Sequence, residues 1–286
     1  MLNALSARVD LTISYLPTVP AARAVWYGLR RRYPPAQQLP DPDLILGAGH
    51  ATHLPMLAAR RARGGRVVVL MKPSLPLAWF DLCVIPEHDS PPQADNVFPT
   101  RGVLNCIRHS VVHDDSTGLF LIGGPAPHVR WDDEHIIAQL TAVLERSPGR
   151  HWWLTTSRRT PQGMLSLLSG MTAVYGERLT IVPATEAGPE WLPEHLGLAA
   201  CVWVTDDSVS MVYEALTAGV AVGLLSVPRT SDHGRVASGM ERLRREKLVV
   251  SFADWEQGSA LKPAEKSFDE AARCANWILE QWLTGR

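Results

Sequence analysis

The stretch from Val202 to Gly223 constrains the fold most, because it reads as a strand, a tight turn, a helix and a second strand. The apolar runs at its two ends have the length of buried strands. The side chains of residues 206–208 (Asp-Asp-Ser) are predicted to cap the helix, and Gly219 is predicted to end it in a left-handed conformation. In a parallel sheet, such a unit places the helix N-terminus at the carboxyl ends of the strands, where phosphates and nucleotides commonly bind.

The helix predicted in this unit has an apolar face and a polar face. The apolar positions that share one side are Val209, Val212 and Leu216. The polar positions that share another side are Asp207, Ser210 and Glu214. Backbone N–H groups and the helix dipole favour anions at the start of the polar side, and the carboxylate of Glu214 suits the hydroxyl pair of a ribose. An ordinary helix with a solvated polar face fits the same spacing, so both interpretations stay open.

Composition restricts the class of protein. The 286 residues suffice for one large or two medium domains, and 46% apolar with 20% charged residues is typical of globular proteins. A net charge of -1 gives no electrostatic case for a nucleic-acid partner. The four cysteines lack the spacing of a metal site, and the apolar runs around Cys83 and Cys201 favour buried thiols in the reducing cytoplasm for these two. Neither a membrane-spanning run nor a signal peptide is recognised, although contact with a membrane surface stays open.

Strands and helices alternate along the chain, which predicts parallel sheets with right-handed crossovers. Outside the first unit, the predicted strands are 9–15, 43–46, 66–71, 80–86, 119–122, 152–156, 179–182 and 248–252. The predicted helices are 20–32, 52–63, 132–146, 234–247 and 264–283, with a further helix that is capped by Thr160 and begins at Pro161.

The aperiodic stretch 99–116 is predicted to be a linker between two domains. We therefore predict an α/β fold with two Rossmann-like domains, residues 1–112 and 113–286. The terminal helix is long enough to pack back on the first domain. The carboxyl ends of both sheets are expected to face a cleft that holds the ligand.

Two loops of the second half are candidates for phosphate binding. Gly123 and Gly124 follow a strand and would let a diphosphate approach the backbone closely, although their spacing departs from the dinucleotide-binding fingerprint. Ser157 and Arg158 follow another strand, and a guanidinium there can donate two parallel hydrogen bonds to a phosphate. An ordinary turn and a solvated loop are the respective alternatives.

Two junctions of the first half carry candidate catalytic or substrate-binding side chains. The turn before the second helix is formed by Gly47, Gly49 and His50. The titratable groups directly after a strand are Glu87, His88 and Asp89. A histidine beside carboxylates suits a general base that acts on a hydroxyl, although the triplet also suits ordinary turn hydrogen bonds. Histidine spacing supports no metal site, and the missing Gly-x-Ser-x-Gly motif disfavours a serine nucleophile.

Several ordered segments resemble those of a known family. They are Pro42–Gly49 (PDLILGAG), Leu77–Asp89 (LAWFDLCVIPEHD), Asp95–Val97 (DNV), Ile122–Pro125 (IGGP), Leu154–Pro161 (LTTSRRTP) and Val204–Glu214 (VTDDSVSMVYE). With these segments, the sequence resembles the mitochondrial fission ELM1-like family over residues 42–225. That family is similar to GT-B glycosyltransferases, in which two Rossmann-like domains bind a sugar nucleotide mainly through the second domain.

The resemblance implies a cleft that binds a nucleotide sugar. The leading hypothesis is a metal-independent enzyme that transfers a sugar from a nucleoside diphosphate to a hydroxyl acceptor, for example in cell-envelope glycan synthesis, without a tightly bound cofactor. In this hypothesis His88 or Asp89, from the triplet after the strand, is the base. The resemblance also implies which residues surround the nucleotide. Gly123 and Gly124 would lie by the diphosphate or acceptor gap, and Ser157 and Arg158 near the phosphates. The helix N-terminus would contribute Asp207, Ser208 and Ser210, and Glu214 would bind the ribose.

One departure from the family pattern lies at the start of the chain. Members usually begin with a strand and a glycine-rich loop before the first helix, whereas residues 1–9 here read as the end of that helix. The first domain is therefore expected to lack its first strand. Two other functions stay open: a non-catalytic adaptor that binds a protein partner, as plant members do when they recruit a dynamin-related protein to mitochondria, and a nucleotide-sugar epimerase.

Overall fold

The structure of the protein is a computed structural model that describes residues 1–127, 129–230, 235–265 and 268–283, with the backbone alone at 235–238 and 283. The chain divides into two compact units. The first unit is Met1–Leu104 with Glu270–Arg286, and the second is Asn105–Asp269. In the ranges described, no helix is long and apolar enough to cross a membrane.

The first unit is built around a parallel sheet that has four strands in the described residues. The strands, in the order β1-β2-β3-β4, are β1 (Leu44–Ala48), β2 (Arg66–Leu70), β3 (Leu82–Pro86) and β4 (Val97–Thr100). The helices are α1 (Leu2–Ser6), α2 (Ala21–Leu29), α3 (His53–Arg63) and α10 (Glu270–Ile278). Val68 packs against α1 and α10, while Val67 and Val69 pack against α3, so alternate side chains of β2 fill two apolar layers.

The second unit is built around a parallel sheet with six strands in the described residues. The strands, in the order β10-β9-β8-β5-β6-β7, are β5 (Asp114–Ile122), β6 (His151–Thr156), β7 (Leu179–Val182), β8 (Ala199–Thr205), β9 (Ala221–Leu225) and β10 (Val250–Ser251). The helices are α4 (Asp133–Glu145), α5 (Gln162–Tyr175), α6 (Trp191–Leu198), α7 (Val209–Ala218), α8 (Arg235–Arg245) and α9 (Phe252–Glu256).

Central strand β5 supplies both apolar layers of the second unit. Leu119 and Leu121 pack in the layer that contains α6 and α7, whereas Phe120 and Ile122 pack in the layer that contains α4 and α5. All four side chains are fully buried. A strand that is apolar on both faces requires helices on both sides of the sheet, which is the layered arrangement of a Rossmann-like unit. The two parallel α/β units confirm the predicted fold class.

Two indole rings lie flat on glycines of the neighbouring strand. A Cβ added to Gly223 would lie 2.4 Å from the Trp203 ring, and one added to Gly118 would lie 2.5 Å from the Trp152 ring. Both indoles are almost fully buried and cannot move aside. We expect Gly223→Ala to lower the free energy of unfolding by about 2 kcal/mol through overpacking. Chemical denaturation measures this loss, and the control Gly149→Ala, whose Cβ would meet no atom within 4 Å, should change it by less than about 0.5 kcal/mol.

Several predicted elements in the first unit differ from the structure. The strand predicted at 9–15 is wrong: this segment forms no regular secondary structure and pairs with no described strand, and β1 pairs only with β2. Strand β4, which begins before the predicted linker 99–116, pairs in parallel with β3. The predicted terminal helix 264–283 begins only at Glu270 and continues beyond Ile278 as a π-helical turn, and its residues 266–267 lie outside the described ranges.

Differences in the second unit are smaller. Strand β5 begins at Asp114, inside the predicted linker, while β10 contains only Val250 and Ser251. Gly234, where the basic helix 234–247 was predicted to begin, lies outside the described residues, and the helix is observed from Arg235. The helix predicted at 132–146 is confirmed as α4, and the carboxylate of its N-cap residue Asp132 accepts a hydrogen bond from the backbone N–H of His135 at 3.0 Å.

Candidate functional site

The second sheet has a point at which the direction of the strand order reverses. The chain leaves β5 towards β6 and β7 on one side, and it leaves β8 towards β9 and β10 on the other side, although β5 and β8 are neighbours. In doubly wound proteins the ligand binds beyond the carboxyl ends of the strands at such a reversal. Gly123 follows β5 directly and residues 206–208 follow β8, so both border this position.

Helix α7 begins at this reversal without a side-chain cap. Ser208 is the N-cap residue, but no described side chain accepts a hydrogen bond from the first turn there. The prediction that residues 206–208 cap the helix with their side chains is therefore wrong. The Asp206 carboxylate instead accepts hydrogen bonds from the Val227 amide at 3.0 Å and the Arg229 guanidinium at 3.3 Å. The predicted left-handed end at Gly219 is confirmed, with φ 85°.

Asp207 ties α7 to the turn after β5. Its side chain is 0% exposed, and Oδ2 accepts hydrogen bonds from the Gly124 amide at 3.2 Å and from Nη2 of Arg159 at 2.8 Å. Nη1 of Arg159 donates to the carbonyl oxygens of Gly124 and Pro125 at 2.7 and 3.1 Å. Oδ1 of Asp207 has no hydrogen-bond partner among the described residues. We call Gly123, Gly124, Arg159 and Asp207 the glycine clamp.

The two glycines are required because the clamp leaves no room for a Cβ. A Cβ on Gly123 would lie 2.4 Å from both Asp207 carboxylate oxygens, and one on Gly124 would lie 2.4 Å from the Arg159 backbone. The Gly123 amide donates to Oγ1 of Thr205 at 2.7 Å. Both glycine amides therefore already have partners within the protein. Their role in this arrangement is to let the ends of β5 and β8 and the loop after β6 approach one another.

The loop after β6 presents its two arginines differently. Arg159 belongs to the clamp, while Arg158 is exposed and makes no hydrogen bond or ion pair with any described residue. Oγ of Ser157 accepts a hydrogen bond from the Arg159 amide, which shapes the turn. Thr160 was predicted to cap α5, but the cap residue is Pro161, because the Thr160 hydroxyl donates to the Gly123 carbonyl oxygen at 2.5 Å.

Glu214 lies on α7, one helical turn after the exposed Ser210. Its side chain is partly buried, and burial raises the pKa of its carboxyl above the ordinary value of 4.5. Neither a hydrogen bond nor an ion pair joins it to another residue in the described ranges. A partly buried carboxylate without a donor is costly, and a ligand with hydroxyl groups could supply the missing hydrogen bonds.

The candidate residues of the first unit lie at the end of β1 and directly after β1 and β3, at the same edge of their sheet. Gly49 has φ 80° and a following 3-10 turn begins at His50, while a Cβ on Gly47 would lie 2.3 Å from Sδ of Met56. A second 3-10 turn is formed by Glu87, His88 and Asp89. Nδ1 of His88 is buried and has no hydrogen-bond partner among the described residues. A depression of about 580 Å³ beside this turn is lined by Glu87 and by residues 91–95, 97 and 99.

The structure thus brings together only some of the predicted site residues. Gly123, Gly124, Ser157, Asp207 and Ser208 lie together at the strand reversal, joined through Arg159, Thr160 and Thr205, which sequence reasoning missed. Nothing in the sequence indicated which of the adjacent residues Arg158 and Arg159 points into the protein to contact Asp207. The residues of the first unit form a separate group at their own sheet edge. In the described residues, no cluster of three or more His, Cys, Asp or Glu side chains is arranged to hold a metal ion.

The protein shares its fold with solved structures over almost the entire length of the chain. A UDP-N-acetylglucosamine 2-epimerase-like protein from Listeria monocytogenes has a TM-score of 0.58 at 13% identity. The match covers 97% of this chain and 83% of the Listeria chain. The UDP-GlcNAc 2-epimerase from Neisseria meningitidis, solved with UDP-GlcNAc bound, has a TM-score of 0.51 at 12% identity, covering 99% and 88%. At these identities the likeness establishes the GT-B-like fold with two Rossmann-like domains.

Sequence comparison assigns the family. No curated protein matches the chain. The sequence model described as mitochondrial fission ELM1 matches residues 2–282, which is nearly the whole chain. This protein therefore belongs to the mitochondrial fission ELM1 family.

Proposed function

We propose that this protein binds a nucleoside-diphosphate sugar at the strand reversal of the second unit and transfers the sugar to a hydroxyl acceptor. One observation carries the proposal: the uncapped N-terminus of α7 borders the reversal between β5 and β8, and Glu214 lies on the same helix without a partner among the described residues. The first feature suits a phosphate and the second suits a ribose. The bound UDP-GlcNAc of the Neisseria meningitidis structure supports the same class of ligand.

Each part of the nucleotide has a proposed binding group. The diphosphate contacts the first amides of α7, with the hydroxyls of Ser208 and Ser210 beside them. Exposed Arg158 supplies the positive charge, since Arg159 is engaged with Asp207. The Glu214 carboxylate accepts hydrogen bonds from the ribose hydroxyls. The glycine clamp and Ser157 hold the surrounding turns in place, so that Gly123 and Gly124 act through backbone geometry.

The proposed reaction is a displacement at the anomeric carbon. The acceptor oxygen forms the new glycosidic bond, the bond to the diphosphate breaks, and the acceptor proton passes to His88 or Asp89, with Glu87 beside them. The helix dipole and Arg158 stabilise the charge that develops on the departing nucleoside diphosphate. Gly47, Gly49 and His50 are proposed to border the acceptor. We propose that the reaction uses neither a metal nor a tightly bound cofactor, and that it takes place in the cytoplasm.

Nucleotide binding is tested by a thermal-shift series with UDP, GDP, ADP and CDP. We expect at least one of them to raise the melting temperature, because a ligand at about 100 times its dissociation constant adds about 2.7 kcal/mol to the free energy of unfolding. The nucleoside without phosphates serves as the control and should have a much smaller effect. If no nucleotide changes the melting temperature, the proposal of a sugar transferase is wrong. A non-catalytic adaptor that binds a protein partner is then the better description.

His88→Ala is expected to abolish sugar transfer while leaving nucleotide binding unchanged. A general base of this kind contributes about 100-fold to 10,000-fold to the rate, and the nucleotide is proposed to bind in the other unit. Radiolabelled transfer measures the first quantity and calorimetry the second. The matched control is His135→Ala, since His135 is an exposed histidine on α4. Full transfer activity in His88→Ala would remove this residue from the mechanism.

A nucleotide-sugar epimerase is the second candidate. It is favoured by the activity named for both similar structures, which share the fold at low identity. An epimerase converts the sugar without an acceptor, whereas a transferase leaves the nucleotide sugar intact unless an acceptor is present. Incubation of the protein with UDP-GlcNAc alone, followed by chromatography of the products, therefore distinguishes the two reactions.

A further inference from the structure

Helix α2 packs against its neighbour through small residues. Ala24 is fully buried, and Gly28 lies so close to α3 that an added Cβ would sit 3.7 Å from Cβ of Ala58. Nε of Arg61, also on α3, donates a hydrogen bond to the Gly28 carbonyl oxygen at 2.9 Å. The inner face of α2 therefore makes its contacts through these small residues and through the partly buried Tyr27, whose ring centroid lies 5.8 Å from that of Tyr33.

Three other large apolar residues of α2 lie on the outer face. Val25 is 48% exposed, Trp26 50% and Leu29 74%. At 100° per residue these three positions fall on one side of the helix, opposite Ala24 and Gly28. A surface helix of a globular protein normally places its large apolar residues towards the core. In α2 three large apolar residues face outwards instead, which marks the outer face as an interaction surface.

Arginines flank this apolar face. Arg23, Arg30, Arg31 and Arg32 are all exposed, and no acidic residue occurs between Leu11 and Pro40. None of the four forms an ion pair with an acidic residue in the described ranges, and the Arg30 guanidinium lies 4.9 Å from the centroid of the Trp26 ring. Arg31 has φ 48°, a conformation that glycine would adopt more cheaply. The surface is therefore both apolar and strongly cationic.

We propose that the outer face of α2, together with Arg23, Arg30, Arg31 and Arg32, docks on an anionic lipid surface. Positive charge is attracted by acidic headgroups, while exposed tryptophan and leucine side chains enter the boundary between headgroups and acyl chains. A nucleic acid would be attracted by the same charge, but it offers no apolar layer for Val25 and Leu29. This inference does not depend on the proposed sugar-transfer reaction.

Vesicle flotation with the full chain tests the inference. We expect the protein to float with vesicles of phosphatidylcholine containing 30% phosphatidylserine, and not with phosphatidylcholine alone. Arg23→Gln/Arg30→Gln should weaken binding about fivefold for each arginine removed. Trp26→Ser/Leu29→Ser should weaken it about tenfold or more at unchanged charge. Both variants alter exposed side chains, so an unchanged melting temperature confirms that they fold.

The matched control is Arg242→Gln/Arg245→Gln on α8, which is also basic but whose described large apolar side chains, Met240 and Leu243, are buried. This variant should float like the wild-type protein. The inference is overturned if the wild-type protein fails to bind the acidic vesicles, or if the α2 and α8 variants lose binding equally. It is also overturned if single-stranded RNA binds more tightly than the vesicles, or if Trp26→Ser/Leu29→Ser dissociates a dimer seen by sedimentation while leaving flotation intact.

Discussion

Arg159→Met is expected to lower the free energy of unfolding by about 3 kcal/mol, because it leaves the carboxylate of Asp207 buried without its cationic partner. The Asp207 side chain is 0% exposed, whereas that of Arg159 is 43% exposed, so the penalty arises mainly from the desolvated carboxylate. The substitution also removes the hydrogen bonds that Arg159 donates to the carbonyl oxygens of Gly124 and Pro125. Chemical denaturation measures the loss.

The neighbouring arginine provides the control for this experiment. Arg158→Met removes the same charge from an exposed position and should change the free energy of unfolding by less than about 0.5 kcal/mol. The double variant Arg159→Met/Asp207→Asn should recover at least half of the loss, since the neutral amide is much cheaper to bury. If Arg159→Met is no more destabilising than Arg158→Met, the clamp does not stabilise the fold.

Glu214→Gln is expected to raise the stability of the free protein at neutral pH while weakening nucleotide binding. Burial raises the pKa of the Glu214 carboxyl above 4.5. A group whose pKa is higher in the folded protein contributes stability that is fully present below the pKa of the unfolded state. This contribution is lost as the pH rises through the pKa of the folded state. The wild-type melting temperature should therefore fall relative to that of Glu214→Gln as the pH is raised from about 4 to about 8. The exposed Glu194→Gln is the control and should show no such divergence.

The loss of affinity has a separate cause. A carboxylate can accept hydrogen bonds from both ribose hydroxyls, whereas an amide offers one oxygen and a donor group. Loss of a hydrogen bond to a charged group corresponds to about a tenfold to 100-fold weaker affinity. A residue that destabilises the free protein and strengthens ligand binding is typical of a binding site. A gain in stability together with a loss of affinity in Glu214→Gln would therefore identify Glu214 as a binding residue.

The alternation of strands and helices was predictable because buried parallel strands are continuous apolar runs. Strands such as β2 and β8 are recognisable from Val67–Leu70 and Ala200–Val204, and Gly219 marked the end of α7. The strand predicted at 9–15 has similar β-branched residues, but a strand also needs a pairing partner, which local sequence does not reveal.

The candidate site was less predictable, because side-chain partners depend on which strands become neighbours. Asp206 and Asp207 have the composition of a helix cap, yet they bond to the loop after β9 and the turn after β5. Those contacts arise only because β8 lies between β9 and β5. Conversely, Glu214 was identified from its position on the polar face of a single helix, since that position depends on local periodicity alone.

Isothermal titration of the nucleoside diphosphate that gives the largest thermal shift, into the wild-type protein and into Glu214→Gln, tests the central claim most directly. The account predicts stoichiometric binding to the wild-type protein and at least tenfold weaker binding to the variant. Equal affinity of the two proteins, or no binding of any nucleoside diphosphate to a folded wild-type protein, would contradict it.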